Sequence, residues 1–335
     1  MLPLSKDNST IIKGIAISMM LFIHLFAGNR TELCTNLLYI GNTPFALWLT
    51  RACSSVPFFL MLSGYGLAYK YEKNELTPSH QATRILYLYL AHWIVLGFFL
   101  ILGHYMVPSS YSGNFSTIIK NMLGWRSDFS SVMWFLFPYC LVSLFSLYIS
   151  KVIDRIGLIW SVIITACIYF GTCYLISRHG HLFFTHMWRY QPLLFIHFLF
   201  FFTAGVALRR TSINLSWTGP KWIILIGIIL IVIAQCIVDF DGASMIYTPL
   251  MIIFLGNLHY PKWIKTVLIE LGKTSMPMWM IHCWLSLYLF KPQFYSLKYP
   301  LFIFLGLIVA SYLLSIPVLW LTNKIYGLLP IKRRA

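Results

Sequence analysis

A chain of 335 residues that is 59% hydrophobic and 10% charged, with a mean hydropathy of +0.75, cannot bury its apolar surface as a water-soluble globule. Its formal charge of +16, from 25 lysines and arginines against 9 acids, would suggest nucleic acid in a soluble domain; in a membrane chain, topology is the first explanation. The seven cysteines include no C-x-x-C pair and read as small apolar residues, not as a metal or redox frame.

About ten apolar runs follow one another, each near the length a bilayer demands at about 1.5 Å rise per residue. They lie near residues 10–28, 44–69, 82–105, 132–150, 157–176, 192–208, 221–238, 243–258, 264–290 and 299–323. The first, IIKGIAISMMLFIHLF, is expected to remain as a helix, because no small-residue cleavage site follows in HLFAGNRTELC. Connectors such as YKYEKNELTPSHQ and LRRTSINLSWTGPK carry Pro, Gly, Asn and charges and are too short for a soluble domain. The expected fold is all-α: one integral-membrane domain over residues 1–335, a polytopic bundle of about ten transmembrane helices, with no soluble extension. On alternate sides of this arrangement, 17 of the 25 lysines and arginines share the side of the two termini, so both termini are expected in the cytoplasm. Membrane lipids are then expected partners and nucleic acid is not.

Two titratable residues interrupt the first run. Lys13 and His24 are eleven residues apart, almost three turns, so they share a helix face about 16 Å apart along the axis. That face must look into the bundle, although Lys13 can also snorkel to the near surface. His24 taken alone could be a histidine bonded to a neighbouring helix. The segment SRHGHLFFTHMWRY gathers His179, His181, His186 and Arg189; it reads as a wet outer loop in preference to a zinc site, and no metal is expected.

The first run, with KGIAI leading from a basic residue to a histidine eleven positions on, resembles the first-helix motif of acyltransferase family 3, bacterial integral-membrane O-acyltransferases that modify surface sugars. VPFFLMLSGYGLAYKYE is similar to the family's Phe-Phe-x-x-Ser-Gly-Tyr stretch at Pro57, Phe58, Phe59, Ser63, Gly64 and Tyr65, and TRILYLYL to its basic third-helix start at Arg84. MWFLFPYCLV resembles the Trp-Phe-Leu element around Trp134, FFTAGVAL the Phe-x-x-Gly element, and LGKTSMPMWMIH the late Gly-Lys-x-Ser helix ending at His282. The chain departs from the family in having Lys13 where arginine is usual, Thr10 where an acid is common, and no proline in RILYLYL.

The resemblance implies transfer of an acyl group, expected to be acetyl, from cytoplasmic acetyl-CoA or another acyl-CoA to a hydroxyl of a cell-surface or lipid-linked glycan. No permanently bound cofactor is expected. An alcohol needs a base before it attacks a thioester, and a neutral histidine suits that work, which makes His24 the expected base. Lys13 joins it in the catalytic set, and Lys13, Arg84 and Lys273 could hold the phosphates of the donor. Ser63, Tyr65, Trp134 and His282 complete the residues expected to bind substrate or acyl-CoA, His282 in a secondary role. Plainer readings stand beside these: positive-inside anchoring for Arg84 and Lys273, close helix packing for Ser63-Gly64, and a loop cap for Asp128, which could otherwise orient a base or bind acceptor hydroxyls. The expected site is a polar cavity built from the first three helices and the His282 helix. A transporter or flippase of an anionic or lipid-linked sugar is the alternative, disfavoured because no two related halves are visible.

Overall fold

The computed structural model describes residues 4–111, 114–238 and 240–329, and every one of the ten apolar runs is helical within it. Helix α1 (Lys6–Phe26) starts where the Ser5 hydroxyl accepts the Asn8 N–H at 3.0 Å. It stops at Ala27, where the backbone turns extended and Gly28 takes a φ of +65° that side chains disfavour. A 3₁₀ turn (Gly28–Leu33) and a hairpin of β1 (Tyr39–Ile40) and β2 (Thr43–Pro44) follow. The second apolar run is split by Arg51–Ser54 into α2 (Phe45–Thr50) and α3 (Ser55–Glu72).

Thr77 caps α4 (Pro78–Met106), with Pro78 in its first turn where no N–H is missed. Short α5 (Pro108–Tyr111) and α6 (Phe115–Met122) lead to a 3₁₀ turn, Ser131–Phe135, that runs into α7 (Leu136–Ile156). Beyond it come α8 (Leu158–Phe184), α9 (Met187–Arg210), α10 (Lys221–Ile237) and α11 (Ser244–Asn257). Helix α12 (Lys262–Cys283) continues as a π-helical stretch, Trp284–Leu289, before α13 (Lys291–Tyr295) and α14 (Pro300–Leu328).

The histidine-rich segment departs from expectation. It is helical through Phe184, with one irregular residue at His179 (φ −127°, ψ 16°), and only Thr185 and His186 separate α8 from α9. Its single interior glycine costs only about 1 kcal/mol of helix propensity, too little to end a long helix.

Seven helical segments among the described residues are long and apolar enough to cross a membrane: α1, α2–α3, α4, the 3₁₀ turn with α7, α8, α9 and α14. Helices α10 and α11 are apolar but have 17 and 14 residues, and α12 carries Lys262, Lys265, Glu270 and Lys273 among its first twelve. Side-chain contacts bring the starts of α1 and α12 to the same end of the bundle as the ends of α3, α7 and α9. At the end where α1 begins, the near end, Lys265 pairs with Asp7 at 2.8 Å, Arg210 with Asp154 at 2.7 Å and Arg209 with Glu72 at 2.7 Å. At the far end, the Tyr247 hydroxyl donates to the Ala52 carbonyl and the Tyr295 hydroxyl to the Leu25 carbonyl, each at 2.7 Å. Burial pushes the Tyr295 phenol up to about 12, so it remains a donor. The basic tail with Lys332, Arg333 and Arg334 lies outside the described residues.

Two helix pairs anchor the bundle, α1 with α12 and α3 with α9. Both are held at backbone distance by glycines. A Cβ on Gly14 would lie 2.2 Å from the Leu268 carbonyl oxygen, and one on Gly272 2.0 Å from that of Thr10. Likewise Gly64 faces the Phe202 carbonyl at 2.1 Å and Gly205 the Met61 carbonyl at 2.0 Å. In lipid, where apolar surface alone does not drive association, small residues that admit such approach supply the packing. Close packing is therefore the role the structure gives Gly64.

Candidate active site

A cavity of about 490 Å³ occupies the far half of the bundle. Its wall on α1 runs from Met20 to Ala27, and the start of α3, the Trp134–Phe135 turn, α8, α9 and Trp279 of α12 close the rest. Aromatic rings dominate it: Trp134, Phe135, Tyr169, Phe198, Phe201 and Trp279. Isolated polar groups stand among them, chiefly His24, Arg30, Ser54, Ser55 and His197. The site is thus less polar than expected, and α4 takes no part in its wall. Three polar side chains of α4 are spent on the end of α6: His92 Nε2 donates to the Asn121 carbonyl at 2.9 Å, Trp93 to that of Met122 at 2.9 Å, and Tyr89 to that of Leu123, just beyond it, at 2.7 Å. Helices α8 and α9 stand in its place.

His24 projects from the last turn of α1 into this cavity. Its Nδ1 lies 2.8 Å from the Met20 carbonyl oxygen; a carbonyl only accepts, so Nδ1 carries the proton and Nε2 keeps a free lone pair. The fully buried His282 packs its ring on that of His24, centroids 4.9 Å apart at 64°. His282 Nδ1 donates to the Trp279 carbonyl at 2.8 Å, and its Nε2 accepts from the Cys283 thiol at 3.3 Å. Two imidazoles, each donating from Nδ1 to its own helix, therefore meet across the α1–α12 pair. Asp128 stays with its loop, paired with Arg126 at 2.7 Å and accepting from Asn121 at 2.8 Å.

Several wall residues were not singled out in the sequence. His197 donates from Nδ1 to the Thr172 hydroxyl at 2.9 Å, because that hydroxyl spends its own proton on the Tyr169 carbonyl at 2.8 Å. Its Nε2 is thus a second acceptor on the cavity wall. The rule that picked out His24, an ionisable residue inside an apolar run, applies equally to His197 in FIHFLFFFT. Tyr169, Cys173, Ile176 and Ser177 line one face of α8 at helical spacing.

The other expected residues divide between two places. Trp134 lines the cavity, its ring 5.9 Å from that of Phe198. Lys13 and Arg84 stand toward the near end, where the charge of Arg84 also acts on Lys13 and Lys70. Arg84 donates to Gln81 Oε1 at 3.0 Å, and Lys70 to His80 Nε2 at 2.5 Å. Lys13 is half-buried, and among the described residues no carboxylate pairs with Lys13, Lys70 or Arg84. The buried Gln81 leaves its Nε2 without a partner. Cations lacking a counter-charge beside an orphaned donor could hold an anionic group such as a phosphate. Lys273 does not join them; it is exposed and donates to Glu270 at 2.7 Å. Tyr65 accepts the Leu4 N–H at 3.2 Å, with its ring 5.9 Å from the Arg209 guanidinium. Ser63 meets the Tyr139 hydroxyl at 3.5 Å.

Among the described residues one group could hold a metal: candidate ligand atoms of His24, His282 and Cys283 lie within 4.8 Å of one another. Two imidazoles and a thiol suit zinc or a softer ion. Such an ion would occupy the free lone pair on His24 Nε2.

No curated protein and no solved structure matches this chain. A family profile does: the acyltransferase domain of acyltransferase family 3 matches residues 7–322, nearly the whole length. The chain therefore belongs to acyltransferase family 3 and is a multi-pass membrane acyltransferase.

Proposed function

We propose that the protein is an O-acetyltransferase of a bacterial inner membrane, with ten crossings and both termini cytoplasmic, that moves an acetyl group from acetyl-CoA to a hydroxyl of a cell-surface or lipid-linked glycan. The observation that carries this reading is the free Nε2 of His24, fixed by the 2.8 Å bond of Nδ1 to Met20 and presented to a cavity large enough for a sugar ring. Nε2 takes the proton of the acceptor hydroxyl as its oxygen attacks the thioester carbonyl. When the tetrahedral intermediate collapses, the carbon–sulfur bond breaks and the imidazolium returns that proton to the departing thiolate. The aromatic walls suit the apolar faces of a sugar, while Nε2 of His197 accepts from one of its other hydroxyls.

The donor's charged end belongs at the near end with Lys13, Lys70 and Arg84, and its thioester beside His24, about 16 Å further along α1. Lys13→Ala is expected to raise the dissociation constant for acetyl-CoA about tenfold, the loss of one charge-assisted phosphate contact. Lys13→Arg is expected to bind as well as wild type or better, given its bidentate reach. Equilibrium binding of acetyl-CoA to the purified variants checks both; unchanged binding in Lys13→Ala would leave Lys13 as a membrane-surface anchor.

The reading as a whole is tested with radioactive acetyl-CoA and membranes containing the protein. Label is expected in a glycan fraction. Movement of a sugar substrate across the membrane with no label transferred would favour the transporter reading instead.

A further inference from the structure

A second cavity, also about 490 Å³, sits beside the first at the far end of α1. Ala27 and Arg30 belong to the walls of both, so the two spaces share a partition immediately beyond His24. The side cavity is more strongly charged than the main one. Its wall brings together Arg30, Lys291, Glu32 and Asn29, the first and the last two on the 3₁₀ turn after α1 and Lys291 at the start of α13. The 2.7 Å bond from Tyr295 to Leu25 ties α13 to the last turn of α1, which fixes the two cations on one frame.

Neither cation is neutralised. Among the described residues Arg30 and Lys291 form no ion pair, not even with the Glu32 that shares their cavity. Arg30 Nε is buried and has no hydrogen-bond partner. A buried guanidinium nitrogen left unsatisfied is costly unless something else completes it. Two cations against one carboxylate leave a single positive charge, which matches one anionic group, and Glu32 and Asn29 are placed to bond hydroxyls around it.

We infer that this side cavity is an anion subsite of the acceptor: Arg30 and Lys291 hold a phosphate or carboxylate carried by the sugar, while the sugar ring lies in the main cavity with a hydroxyl at His24. The acceptor class is therefore an acidic glycan or a sugar phosphate, and not a neutral glycan. This assignment rests on the reading of His24 as the acceptor's base, but it makes a separate claim about binding.

The test uses the full chain in nanodiscs of phosphatidylcholine, with glucose 1-phosphate and methyl glucoside as probes and equilibrium binding as the readout. Wild type is expected to bind the phosphate sugar at least about tenfold more tightly than the neutral one, with the preference shrinking as salt is raised. Arg30→Gln and Lys291→Gln should each remove most of that preference and leave acetyl-CoA binding unchanged, and Arg30→Lys should restore part of it, which separates lost charge from lost folding. Equal binding of the two probes by wild type, or an unaltered preference in both glutamine variants, would overturn the assignment. So would loss of the preference when phosphatidylglycerol replaces part of the phosphatidylcholine, since the subsite would then belong to a lipid headgroup. His24→Ala keeps the preference if the subsite is real, so a preference without acetyl transfer in wild type would count against the proposed reaction alone.

Discussion

His24→Ala is expected to lower acetyl transfer by about 10² to 10⁴, the usual worth of a positioned general base. Membrane insertion and acetyl-CoA binding should survive, because the donor's charged end is assigned to the opposite end of α1. His24→Asn is the sharper variant: its amide retains a donor for the Met20 carbonyl, which His24 holds at 2.8 Å, but supplies no base. His282→Ala should cost less, since that imidazole is fully buried behind His24 and does not line the cavity. The comparison is transfer of label at equal membrane abundance. Full activity in His24→Ala would reduce family membership to a statement about fold.

The sequence spoke clearly where a single run carried the signal. Each of the ten runs became a helix, and Lys13 and His24 were recognisable because charge inside an apolar helix has few bland explanations. Tertiary neighbours were harder to read. Nothing in the spacing of LGKTSMPMWMIH says that His282 lands 4.9 Å from His24, since that depends on how α1 and α12 cross. Nor does TRILYLYL reveal that α4 faces away from the cavity, because its His92, Trp93 and Tyr89 find their partners at the end of α6, some 30 residues on. Lys273 looked like a third phosphate ligand because a lysine in a family motif gives no sign of which helix face it occupies; Glu270, three residues before it, holds it at the surface. Nor does GNRTEL mark Arg30 out. Its significance depends on a partition between two cavities, a feature made by folding the chain back after Gly28.

The glycines at the α1–α12 crossing should be as unforgiving as the histidine, through stability. Gly14 and Gly272 each meet a backbone carbonyl of the other helix, so an added methyl would lie at 2.2 Å from Leu268 O or 2.0 Å from Thr10 O. Real Cβ atoms do not approach so closely, and a carbonyl fixed in a helix cannot rotate aside, so the helices must separate. Gly14→Ala and Gly272→Ala are each expected to cost about 3 kcal/mol, the upper part of the range for overpacking, and larger residues more. The control is Gly66→Ala on α3, where an added Cβ meets nothing within 4 Å; helix propensity should make that variant neutral or up to about 1 kcal/mol more stable. Thermal unfolding in detergent separates the two cases, and wild-type stability in both Gly14→Ala and Gly272→Ala would mean that α1 and α12 do not touch there. The consequence reaches the chemistry. His24 lies ten residues beyond Gly14 and His282 ten beyond Gly272, so the glycine contact and the histidine contact are two points on one helix pair, about 15 Å apart along the axes. A milder wedge, Gly14→Ser or Gly272→Ser, that inserts but unfolds early should therefore also lose transfer, because the crossing that admits Leu268 and Thr10 also sets the two imidazoles against each other.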